Sequence, residues 1–287
     1  MNKVYVMSDI HGKWQYVRDF ILRNKIKEKF TKEDTLILLG DTGANFFFNH
    51  RDEEFKDKLE KMPITFFIIR GNHEERPSIC MEKNPNEWHT ETYFRNTVYV
   101  ENKYPSIKYA MDEPTVYQIP YLTDYSDGVP ENDYNDEGEP IYKYFLTLVI
   151  PGAYSVDKYY RLQNGWSWFE HEQLTKEEMD KVWMLVDFLN ATGGCDLVLS
   201  HTCPCIFEPT DLFLSFVDQS MVDKTMERYL GQIEFALNYK AWLWGHYHEF
   251  RDYPRTDNKK KTMLFNNYAI NLIDYMLSDI KDEVIKL

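Results

Sequence analysis

Short runs of β-branched and aliphatic residues alternate along this chain with stretches whose apolar positions recur at helical spacing. Val4-Tyr5-Val6-Met7, Leu36-Ile37-Leu38-Leu39 and residues 64–69 are continuous apolar runs of strand length, as expected of strands buried on both faces. Residues 144–150, Asp196-Leu197-Val198-Leu199, Ala241-Trp242-Leu243-Trp244 and Met263-Leu264-Phe265 read the same way later in the chain. Between them, residues 14–24 set Trp14, Val17, Phe20 and Ile21 on one helical face. Residues 52–61 form a charged surface helix with Phe55 and Leu59 one turn apart. Residues 175–190 carry Met179, Val182, Trp183, Val186 and Leu189 at helical spacing, behind a Thr175-x-x-Glu178 capping box and ahead of the helix-ending Gly193-Gly194. A further helix spans 222–237, with Val222, Met226, Tyr229, Leu230, Ile233 and Leu237 aligned. Strands alternating with helices predict an α/β fold.

Residues 80–140 break the pattern. They are rich in Tyr, Asn, Asp, Glu and Pro without clear periodicity, and predict an inserted, loop-rich acidic region. Its end, residues 124–140, carries seven Asp or Glu and no Lys or Arg, so it is expected as a solvated acidic loop. With no repeat or linker in evidence, the simplest organisation is one domain over residues 1–287 with that region inserted.

Charge and cysteine usage narrow the function classes. The net charge of −14 disfavours general nucleic-acid binding and an anionic membrane surface. No apolar run approaches the roughly 18 residues of a membrane-spanning helix, and the apolar start is too short for a signal peptide. A cytoplasmic protein is expected, with Cys80, Cys195, Cys203 and Cys205 as reduced thiols.

Five polar clusters stand at the ends of predicted strands: Ser8-Asp9-Ile10-His11, Gly40-Asp41, Gly71-Asn72-His73-Glu74, Ser200-His201 and Gly245-His246-Tyr247-His248. Strand ends are where open α/β sheets place ligands, and carboxylate, amide and imidazole are metal donors. If the backbone there is extended, residues two apart share a side, which would aim Asp9 with His11 and His246 with His248 at one site. Any one cluster is weak evidence. Five of the eight histidines fall within them, however, and the others, His50, His89 and His171, sit in hydrophilic stretches as solvated side chains.

In this order the clusters resemble the signature motifs of the calcineurin-like metallophosphoesterases, from Asp9 to His248. The resemblance implies a two-sheet αββα sandwich and two metal ions. One would be held by Asp9, His11, Asp41 and His248, the other by Asp41, Asn72, His201 and His246, with Asp41 bridging. It implies phosphomonoester or phosphodiester hydrolysis by a hydroxide that the two metals activate, with His73 as the acid that protonates the leaving group. Manganese or iron are the leading metals by resemblance, and the mixed donor set also suits zinc, cobalt or nickel. Residues 151–157, Arg161 and residues 166–170 are similar to a segment of bacterial and phage-type members.

One cluster departs from the protein-phosphatase pattern Gly-Asp-x-x-Asp-Arg-Gly. Here Ala44 stands for the aspartate that orients the catalytic histidine, and Asn45 for the arginine that grips phosphate. Arg161 and Asn45 are therefore the candidate substrate contacts, Arg161 because a guanidinium grips phosphate bidentately. A protein serine/threonine or nucleotide phosphatase is the alternative reading. A non-catalytic metal-binding scaffold is a third, set against by the presence of all seven ligand positions and His73.

Overall fold

A computed structural model describes residues 3–24, 29–121, 143–213, 215, 218–254, 258–278 and 285–286. The strands are β1 Val4–Met7, β2 Thr35–Leu39, β3 Thr65–Ile69, β4 Trp88–Tyr93, β5 Asn96–Glu101, β6 Ile107–Tyr109, β7 Thr115–Tyr121 and β8 Lys143–Ile150. They continue with β9 Cys195–Ser200, β10 Tyr239–Trp244, β11 Arg251–Asp252, β12 Lys260–Met263, β13 Tyr268–Asn271 and β14 Ile285–Lys286. The helices are α1 Gln15–Asn24, α2 His50–Glu60, α3 Pro77–Lys83, α4 Lys158–Gln163, α5 Lys176–Ala191, α6 Thr225–Ala236 and α7 Leu272–Leu277.

Two sheets form. One runs β14-β13-β1-β2-β3-β6-β5-β4 and the other β11-β12-β10-β9-β8-β7. Strand periodicity builds the layers, because successive side chains point to opposite faces. Val4, Val6, Ile37, Leu39, Phe67 and Ile69 point inward to Phe145, Val149, Leu197, Leu199, Ala241 and Leu243 across the seam. The intervening Tyr5, Met7, Leu36, Leu38, Phe66 and Ile68 face Val17, Phe20, Phe55 and Leu59 of α1 and α2. On the opposite outer layer, Leu148, Ile150, Val198, Trp242 and Trp244 pack on Val182, Val186 and Leu189 of α5 and on Met226, Leu230 and Ile233 of α6. The order is helix, sheet, sheet, helix. Both faces of each central strand are covered, which is why these strands read as continuous apolar runs.

Topology then places the site. Strands β1, β2 and β3 are parallel neighbours in the first sheet, as are β8, β9, β10 and β12 in the second. The loops leaving β1, β2, β3, β9 and β10 carry the five polar clusters.

The region 80–140 is not loop-rich where it is described. Four strands, β4 to β7, lie between residues 88 and 121, and β4, β5 and β6 extend the first sheet's edge. Their pattern is hard to read because β4 is an edge strand with mostly exposed side chains. Its order comes from a six-residue antiparallel register with β5, Trp88 to Tyr93 against Asn96 to Glu101. The acidic tract 124–140 lies outside the described residues. The capping box on α5 is formed, with Thr175 Oγ1 accepting from Glu178 N at 3.2 Å and Thr175 N donating to Glu178 Oε2 at 2.7 Å. No helix among the described residues is long and apolar enough to cross a membrane.

Phe67 sits fully buried at the seam, with its ring 5.1 Å from Tyr117 and 5.2 Å from Phe94 between centroids. Phe67→Ala should cost about 3–5 kcal/mol, the range for emptying a buried aromatic site, read as a lowered urea midpoint at unchanged slope.

Candidate metal centre

Each strand ends in a sharp turn that delivers its polar group to the seam between the sheets. The candidate ligands themselves adopt the left-handed region: Asp9 has φ 56°, His11 44°, Asp41 50°, His246 74° and His248 56°. Side chains avoid this region, at a cost of order 1–3 kcal/mol each, so something must hold it. Backbone hydrogen bonds do so in part, from Asp9 N to Gly40 O at 3.2 Å and from His11 N to Asp41 O at 2.8 Å. Asn266 Nδ2 donates to Asp9 O at 2.9 Å, and His246 N donates to Asp9 Oδ2 at 2.9 Å. Asp9 with His11, and His246 with His248, thus converge through tight turns rather than through extended backbone.

Two glycines permit the approach by lacking a side chain. A Cβ on Gly71 would stand 2.2 Å from Asp41 Oδ1, and one on Gly245 would stand 1.8 Å from Ser8 Oγ and 2.4 Å from Asp9 Oδ2.

Two donor groups result. Asp9, His11, Asp41 and His248 each offer a ligand atom within 4.8 Å of the others, and so do Asp41, His201 and His246. Asp41 belongs to both. Asn72 joins the second group, its Oδ1 lying 3.0 Å from His201 Nε2. His201 Nδ1 donates to Leu39 O at 2.6 Å, which leaves Nε2 free to face the cluster, 3.3 Å from Asp41 Oδ1. Asp9 Oδ1 is buried without a hydrogen-bond partner among the described residues, 3.6 Å from His248 Nε2. A seam crowded with lone pairs, its carboxylates buried and its His248 edge open to solvent, and holding an orphaned carboxylate oxygen, fits a pair of cations. Mixed oxygen and imidazole donors suit first-row transition metals.

His73 and Arg161 stand at the rim. His73 N donates to Asp41 Oδ1 at 3.0 Å, and His73 Nε2 lies 3.7 Å from Asp41 Oδ2. Arg161 Nη2 is within 2.6 Å of the His73 ring nitrogens, and Arg161 Nε lies 2.8 Å from Asp157 Oδ2. Asn45 is not brought to this cluster. It is buried, with Oδ1 3.5 Å from Lys56 Nζ, above the Lys56–Glu101 ion pair. The loop after Gly43 turns that side chain down toward α2, so its expected role as a substrate contact is not supported by its position. His50, His89 and His171 are exposed, away from the centre.

Several residues that matter here receive no role from the sequence alone. Glu74 accepts from Gly43 N at 2.9 Å and Gly71 N at 3.1 Å, and also from Thr42, tying the β2 loop to the β3 loop. Asn72 Nδ2 donates to Ser155 Oγ at 2.9 Å, and Ser155 Oγ donates to Glu172 Oε2 at 2.6 Å. Trp168 Nε1 donates to the same carboxylate at 2.9 Å. This chain sets the Asn72 amide with its oxygen toward the cluster. Only the likeness of residues 151–157 and 166–170 to a segment of other members hinted at it.

The protein's own field sets the protonation preferences. Burial pushes the Asp9 carboxyl up to about 7. Burial would also raise Asp41, yet the imidazoles of His73 and His201 hold it well below the usual range. Burial would lower His201, but Asp41 and Asp9 beside it raise it to about 9. Burial takes His11 down to about 4 and lowers His246, His248 and His73. Cations therefore compete chiefly with protons on His201 and Asp9. The sign is that metal affinity rises with pH between about 6 and 9, and loading at pH 7 releases protons. Manganese calorimetry in buffers of different ionisation enthalpy measures both. Ser155→Ala frees the Asn72 amide and should weaken binding at one of the two positions by roughly 10- to 100-fold, read as a split binding isotherm.

Comparison with known proteins agrees with this geometry. A family model described as calcineurin-like phosphoesterase matches residues 2–250. A search of curated proteins returns no match. Among solved structures, the chain is similar to the protein TT1561 of Thermus thermophilus, at 11% identity over 99% of this chain and 98% of that one, with a TM-score of 0.50. It also matches a dimetal phosphatase from Danio rerio at 7% identity over 94% of each chain, with a TM-score of 0.46. With the family match spanning most of the length and the donor groups at the strand ends, the chain belongs to the calcineurin-like phosphoesterases and is a metal-dependent hydrolase of phosphoester bonds.

Proposed function

We propose that the chain hydrolyses a phosphomonoester or phosphodiester at a two-metal centre, with His73 as the proton donor to the leaving oxygen and Arg161 as the phosphate clamp. The observation that carries this reading is Asp41. It is common to both donor groups, and His73 hangs from it through a backbone hydrogen bond. Asp9, His11, Asp41 and His248 would hold one ion, and Asp41, Asn72, His201 and His246 the other. When bound, such a pair polarises a phosphoryl oxygen and lowers the pKa of water. Manganese or iron is the proposed occupant on the family resemblance, and the oxygen and imidazole donors accommodate either. The four thiols are all free, in keeping with a reducing, cytoplasmic setting.

The chain's own residues have separable tasks. Asp41 and Asp9 would hold the ions at the seam, and so set where a phosphoryl group can sit. Arg161, buried and anchored by Asp157, faces outward along the edge of His73. A phosphate entering there is met by a guanidinium that suits two of its oxygens. His73 is held between Arg161 and Phe46, whose ring lies 6.1 Å from it at 19°. Burial, and with it Arg161, disfavours a proton on His73, and an anion bound beside the pair would relieve that repulsion. Ala44 and Asn45 contribute neither the orienting carboxylate nor the clamp of a protein phosphatase, which disfavours that alternative.

Turnover of p-nitrophenyl phosphate and bis(p-nitrophenyl) phosphate, with and without manganese, tests the activity and separates monoester from diester preference. Activity should require metal and follow two bound ions per chain. The absence of turnover of either ester by fully loaded protein would sink the enzymatic reading. On an alkyl phosphoester, whose leaving group needs a proton, His73→Ala should lower kcat roughly 10²- to 10⁴-fold. Arg161→Ala should lower kcat/KM on the order of 10- to 100-fold, the scale of a hydrogen bond to a charged group.

A further inference from the structure

A cavity of about 340 Å³ opens against His246 and His248. That volume falls within the range of small-molecule sites, roughly 300–1,000 Å³. Tyr154, Val156, Phe213, Val222 and Tyr247 line it, and none of them belongs to the donor groups. The Phe213 and Tyr247 rings are nearly parallel, at 21° with centroids 6.4 Å apart. Apolar walls and two aromatic rings next to a phosphoryl site are suited to a flat organic group on the ester.

The charged groups around the cavity are engaged, with one exception. Lys224 Nζ pairs with Glu208 and lies 4.4 Å from the Phe213 centroid. Asp223 accepts from Thr225 N at 2.9 Å and from Gln173 Nε2 at 3.0 Å. Glu227 Oε1 accepts from Thr202 Oγ1 at 2.7 Å. Glu227 Oε2, however, has no hydrogen-bond partner among the described residues, although Glu227 is only 3% exposed. An unsatisfied carboxyl oxygen there costs free energy that a ligand's N–H donor would recover. An aliphatic serine or threonine ester offers no ring for Phe213. A second phosphate would lie beside Asp223 and Glu227, with the nearest ammonium already paired.

Building on the phosphoesterase reading above, we propose that this cavity receives the base of a nucleoside phosphoester bearing a single phosphate. The base stacks on Phe213 and donates an N–H to Glu227 while the phosphate sits at the metal centre.

Phosphate release by the manganese-loaded full chain from adenosine 5′-monophosphate, adenosine 5′-triphosphate and glycerol 2-phosphate, together with calorimetric binding of adenosine 5′-monophosphate, tests this. The monophosphate should exceed both other esters at least tenfold in kcat/KM. Phe213→Ala should lower the ratio of monophosphate to glycerol phosphate about 5- to 50-fold, mostly through KM, as expected for loss of one base stack. Phe213→Trp should restore the ratio, which separates lost stacking from misfolding. Equal kcat/KM for the monophosphate and glycerol phosphate would overturn the assignment, as would a ratio unmoved by Phe213→Ala. If no ester is hydrolysed, binding of the monophosphate that weakens in Phe213→Ala supports the cavity while the activity reading fails. Without hydrolysis or binding, the cavity assignment falls too.

Discussion

The site depends on a carboxylate shared by two groups of donors in a place almost closed to water. Asp41 is 1% exposed, and the ligand atoms of both groups crowd around it within 4.8 Å of one another. Acceptors at that separation repel, and burial removes the water that would screen them. Protons ease the crowding in part: His201 takes one strongly and Asp9 takes one near neutrality. The arrangement is consistent only if positive charge belongs at its centre. A buried structural ion pair would instead come with matched donors and acceptors, and Asp9 Oδ1 has none among the described residues.

Holding that crowd together falls to the backbone and to residues outside it. Five ligands sit in the left-handed region, where unsupported side chains are disfavoured. The strain persists because Glu74 ties two loops, Asn266 holds the Asp9 carbonyl, and the Ser155–Glu172–Trp168 chain fixes Asn72. Beneath them the strands are pinned on both faces by packed side chains, so the loop ends have little freedom to relax apart. The rigid sandwich is what allows a strained, self-repelling cluster to exist.

This division explains what could be read from the sequence. Strands buried on both faces announce themselves as apolar runs, so β1, β2, β3, β9 and β10 and the groups at their ends were legible. The reason two-apart residues converge was not legible. Asp9 and His11 share a site through a left-handed turn, a conformation that residue type alone does not reveal outside glycine. Strands β6 and β7 are not legible because their order comes from pairing with partners distant in sequence, β6 against β3 and β7 against β8, while β4 and β5 form a hairpin whose edge strand is mostly solvent-facing. Ser155 and Glu172 escaped for a related reason: a hydroxyl and a carboxylate gain their role only by meeting Asn72, which is 83 residues from Ser155.

The departure at Ala44 and Asn45 shows how function can move between loops. In the pattern that the second cluster resembles, that loop carries both the group that orients the histidine and the group that grips phosphate. Here Ala44 is packed into the core and Asn45 leans on Lys56, so the loop supplies neither. Arg161, on α4, reaches His73, with Asp157 one turn earlier steadying its guanidinium. Phe46, next to the altered positions, closes the other face of His73 and lies 5.6 Å from the guanidinium. The histidine is thus positioned by an arginine and a ring where a carboxylate would otherwise serve. His73 therefore lies between the Asp41 carboxylate, 3.7 Å from its Nε2, and a guanidinium that Asp157 already pairs.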